Sequence, residues 1–150
     1  MDIQTLINSD IGYHWSSNNV SISYILKNIE EGRYILTDYD TDKIPLELTV
    51  YKILKNMPIS IVATAKHADD KIYWNIVKGC NEIRNIIKWI NEDTRVTLGN
   101  IDASFKSVVD DDNFVLKRFS LISTIIDSDE YDGEKVPTDE ELMRIVRIYF

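Results

Sequence analysis

The chain has 150 residues, of which 44% are hydrophobic and 28% charged, and its formal net charge is -8. That length fits one domain able to bury roughly 70% of its unfolded surface without disulfides or metals. Its single cysteine, Cys80, excludes a disulfide framework and suits a reducing cytosol, and the acidic balance argues against direct nucleic-acid binding, which needs Lys and Arg to meet phosphates.

Neither a basic leader nor an apolar run of ~20 residues is visible, so the expectation is a cytoplasmic chain with no signal peptide and no membrane span. Along the chain, Ser21 is placed to cap a first helix. Ile22, Ile25, Leu26 and Ile29 recur at helical spacing, and Gly32 stops the helix. Tyr34-Ile35-Leu36 reads as a short strand, and Thr37 to Lys43 as a polar loop. Pro45 suits the first turn of a second helix, with Leu46, Val50, Ile53 and Leu54 on one face and Asn56 at its end.

Ile59 to Ala65 and Ile72 to Val77 are apolar, β-rich runs joined by a short polar turn from His67 to Lys71. They predict an antiparallel hairpin, with the second run central in a small sheet. Gly79 then breaks the pattern, and Ile83, Ile86, Ile87 and Ile90 mark a third helix. Arg95 to Leu98 reads as a strand ended by Gly99-Asn100. Phe119 to Ile126 is apolar and fits strand or helix. Thr138-Asp139-Glu140-Glu141 is a capping-box pattern opening a last helix along Leu142, Ile145, Val146 and Tyr149. Interleaved but not strictly alternating, this order predicts an α+β fold with a small mixed sheet and packed helices.

Three stretches carry a family resemblance. Ile22-Ser23-Tyr24-Ile25-Leu26-Lys27-Asn28-Ile29-Glu30-Glu31-Gly32 is followed by Tyr39-Asp40-Thr41. Lys52 to Ser60 reads as a helix end, Pro58-Ile59 and entry into the hairpin. Ile76-Val77 runs into Lys78-Gly79-Cys80-Asn81-Glu82. Together they resemble the N-terminal domain of GmrSD-type restriction proteins, also known as domain of unknown function 262, with a ParB/sulfiredoxin-like fold. The match is best over about 21–96. The family's Pro-x-Phe-Gln-Arg and Asp-Gly-Gln-Gln-Arg motifs are replaced here. Asp40 and Thr41 stand at the first motif's Gln and Arg. At the second, Lys78 stands for Asp and Glu82 for Arg, and only Gly79 survives.

A strand–Gly–helix junction has chemistry of its own. Glycine lets the backbone approach a ligand closely, and the helix start offers unpaired N–H groups to an anion. The resemblance implies nucleotide phosphates at this place, and in sulfiredoxin-like relatives a cysteine near it. Lys78, Gly79, Cys80, Asn81, Glu82 and Asp40 therefore form a candidate vestigial nucleotide site. Glu82 would oppose any anion held by Lys78. The plainer reading makes Gly79 a turn glycine, Glu82 a first-turn acid on the helix dipole and Cys80 a small buried hydrophobe.

His14 and His67 fall in no metal-ligand spacing. Asp38, Asp40 and Asp42 lack the later ligands of a calcium loop, so no metal and no cofactor are expected. Ile148 and Phe150 extend the apolar girth of the last helix and are candidate interface residues.

The first expectation is a non-enzymatic, degenerate domain that works as a protein-binding or regulatory module. Its partner could be a second copy of itself, and bacterial defence or phage counter-defence is its natural setting. The alternatives are a nucleotide-binding enzyme with an altered site and an acidic blocker of a nucleic-acid-binding protein.

Overall fold

The structure is a computed structural model that describes residues 3–4, 13–38, 43–68, 70–91, 94–108 and 119–128, the side chains of 13–15, 67–68, 120 and 126–128 excepted. Its order is β1 (Tyr13–Ser21), α1 (Ile22–Glu30), β2 (Tyr34–Leu36), α2 (Leu46–Leu54), β3 (Ser60–Ala68), β4 (Lys71–Lys78), α3 (Cys80–Asn91), β5 (Thr97–Leu98), β6 (Ile101–Asp102), α4 (Phe105–Val108) and β7 (Ser120–Ser128).

Among the described residues, five strands form one mixed sheet in the order β1-β7-β3-β4-β2. β1 runs antiparallel to β7, β7 parallel to β3, β3 antiparallel to β4, and β4 parallel to β2. The fold is thus α+β with packed helices, as the sequence predicts. The predicted hairpin is present, with Ala68 opposite Lys71 and Asp70 at φ 62. β4 is an interior strand, but the middle position belongs to β3. That is a correction with a plain cause. The undecided segment after Phe119 forms β7, which pairs parallel to β3 and displaces β4 from the centre.

Local signals explain the helix ends. Ser21 accepts the Tyr24 amide at 3.1 Å, so it caps α1 as expected. Both α1 and α2 close with a left-handed residue after the cap. Gly32 sits at φ 76, with Arg33 N–H on Asn28 O at 2.9 Å. Asn56 sits at φ 53, with Met57 N–H on Lys52 O at 2.8 Å. Pro45 is the N-cap of α2 rather than part of its first turn. Val50 and Ile53 are buried, while Leu54 is exposed and not on the buried face.

The core gathers Ile22 and Ile25 of α1, Val50 and Ile53 of α2, Ile83, Ile86 and Trp89 of α3, and Ile61, Ala63, Ile76 and Leu121 of the sheet. Tyr34 packs edge-on between Tyr24 and Trp74. Burial, reinforced by Tyr24, pushes its phenol up to about 12.

The segment 94–108 folds as a small unit against α3. The predicted strand there is only Thr97–Leu98, paired in a two-stranded hairpin with Ile101–Asp102. Trp89, fully buried, donates its indole N–H to Ala103 O at 2.9 Å and stacks edge-on against Phe105 at 5.1 Å. Asp102 accepts from Ser104 N and Ser107 Oγ, and Ser104 and Ser107 hold its carboxyl below the usual carboxylate value.

Candidate functional site

The strand directions bring the carboxyl ends of β1, β2 and β4 to one end of the sheet, beside the amino ends of β3 and β7. α3 starts there, directly after β4. The carboxyl end of a parallel strand pair is where open sheets hold ligands, which makes this end the candidate site.

The junction begins with an irregularity. Val62 pairs with Lys78 and Ala63 with Ile76, so two residues of β4, Val77 and Lys78, oppose Val62 alone. A bulge of this kind bends its strand and interrupts the ladder. The Ile76 carbonyl beside it is taken up locally. It accepts from Thr37 Oγ1 at 2.7 Å, from Thr37 N at 3.4 Å and from Cys80 Sγ at 2.9 Å. The loop after β2 and the start of α3 are thereby fastened to one carbonyl.

Gly79 adopts φ 85, a conformation L side chains disfavour. A Cβ built there would stand 2.8 Å from both Ile61 Cγ2 and Ser60 O, and 3.2 Å from Ile61 Cα. The close approach expected toward a ligand is instead made to β3 of the same chain. Cys80 is fully buried among core residues. Lys78 is exposed and Asn81 half-buried. Lys78, Gly79, Cys80 and Asn81 all have interaction partners.

Glu82 stands in the first turn of its helix, as the plainer reading expects, and it is buried there. It is 8% exposed and pairs through Oε1 with Lys52 Nζ of α2 at 3.5 Å. Its Oε2 is buried with no hydrogen-bond partner. Removing one member of such a pair strands the other charge, so the contact ties α2 to α3. Two further residues of α3 tie it to the segment after β2 and to α2 with the residues before it. Arg84 donates to Thr37 O at 3.1 Å and to Asp38 Oδ1 at 3.2 Å. Asn85 donates to Ile44 O at 2.9 Å and to Thr49 Oγ1 at 3.0 Å.

Of the sequence-derived candidates, Lys78, Gly79, Cys80, Asn81 and Glu82 are therefore together at the junction. Asp40, Ile148 and Phe150, with the rest of the predicted last helix, lie outside the described residues. Sequence reasoning missed Thr37, Lys52, Arg84 and Asn85. The signal was a polar stripe of Asn81, Arg84 and Asn85 at helical spacing, which sequence alone cannot distinguish from a solvated face. Among the described residues, no cluster of three or more His, Cys, Asp or Glu side chains is placed to hold a metal ion, and no helix is long and apolar enough to cross a membrane. No family model, no curated protein and no solved structure matches this chain.

Proposed function

We propose that the chain is a degenerate ParB/sulfiredoxin-like domain of the GmrSD type, acting without catalysis as a cytoplasmic protein-binding or regulatory module. One observation carries this reading. The strand–Gly–helix junction, which the resembling family devotes to phosphate chemistry, is closed upon this chain itself. Ile61 fills the space above Gly79, Lys52 pairs with the carboxylate at the family's arginine position, and the thiol beside it is buried. A buried carboxylate here disfavours a phosphate and opposes the preorganised positive field that its transfer needs.

The net charge of -8 favours a partner with a basic surface over nucleic acid. A role in bacterial defence or phage counter-defence follows from the family resemblance alone. The catalytic question is settled by titrating the protein with ATP and magnesium, read by calorimetry and amide NMR shifts. Phosphate release and nicking of supercoiled DNA are followed in parallel. The expected result is no saturable binding tighter than about 1 mM and no turnover above buffer. Saturable shifts at Gly79 to Glu82, or turnover that a Glu82→Ala variant loses, would establish the nucleotide enzyme instead.

A further inference from the structure

We draw no further inference here: the strongest candidate, the exposed apolar patch of Leu48, Tyr51 and Leu54 on the outer side of α2, carries nothing because nothing in the structure shows what covers it.

Discussion

Gly79→Ala is expected to destabilise the domain by about 3 kcal/mol, through two effects that act together. The left-handed backbone at φ 85 disfavours any Cβ by about 1–2 kcal/mol. The new methyl must also displace Ile61 and the Ser60 carbonyl, each 2.8 Å away, and overpacking of this kind costs about 1–3 kcal/mol. The Ser60 carbonyl belongs to the β3 backbone, so it cannot swing aside as a side chain could.

Gly32→Ala and Gly99→Ala are internal controls. Both positions have positive φ, but nothing lies within 4 Å of a built Cβ. They should lose only the backbone share, about 1–2 kcal/mol. Urea unfolding of the three variants separates the terms. If Gly79→Ala is no worse than Gly32→Ala, the close packing of the junction on β3 is wrong.

Trp89→Ala should cost about 3–5 kcal/mol, the range for removing a large buried aromatic. Trp89 is fully buried, and its loss also removes the donor to Ala103 O and the edge contact to Phe105. The segment 94–108 depends on that side chain to dock on α3. Hydrogen exchange should therefore show the Ala103 amide, which donates to Val96 O at 2.8 Å, losing protection before the amides of β3 and β4. A loss under about 1 kcal/mol, well below that range, would mean that the segment docks by other contacts. So would unchanged protection at Ala103.

The residues that announced themselves in sequence are those whose local chemistry suffices. Ser21, Gly32 and Asn56 cap or stop helices by bonds to neighbours within a few positions. The isoleucines of α3 repeat at a spacing only a buried helix face explains. β1 gave no such signal, because Ser16-Ser17-Asn18-Asn19 has weak strand propensity. It is a strand because β7, about a hundred positions away, supplies the partner along its whole length.

The same limit governs the candidate site. Gly79 was visible as a break, yet what stands above it depends on β3. Glu82 was legible as a first-turn acid, but not as a buried one. Its burial depends on Lys52, contributed by a helix that sequence alone cannot place beside α3. α4 spans only four residues, too few for a periodic signal.

Thiol labelling of Cys80 probes the closed junction at its centre, and as the chain's single cysteine it gives an unambiguous readout. Cys80 has no exposed surface and donates to the Ile76 carbonyl at 2.9 Å. Native protein should therefore react with an aromatic disulfide reagent only through opening of the fold. The rate should be at least about a thousand-fold below that of the urea-unfolded chain, and ATP with magnesium should leave it unchanged. Reaction within about ten-fold of the unfolded rate, or protection by ATP, would contradict a sealed junction and return Cys80 to the list of accessible, reactive groups.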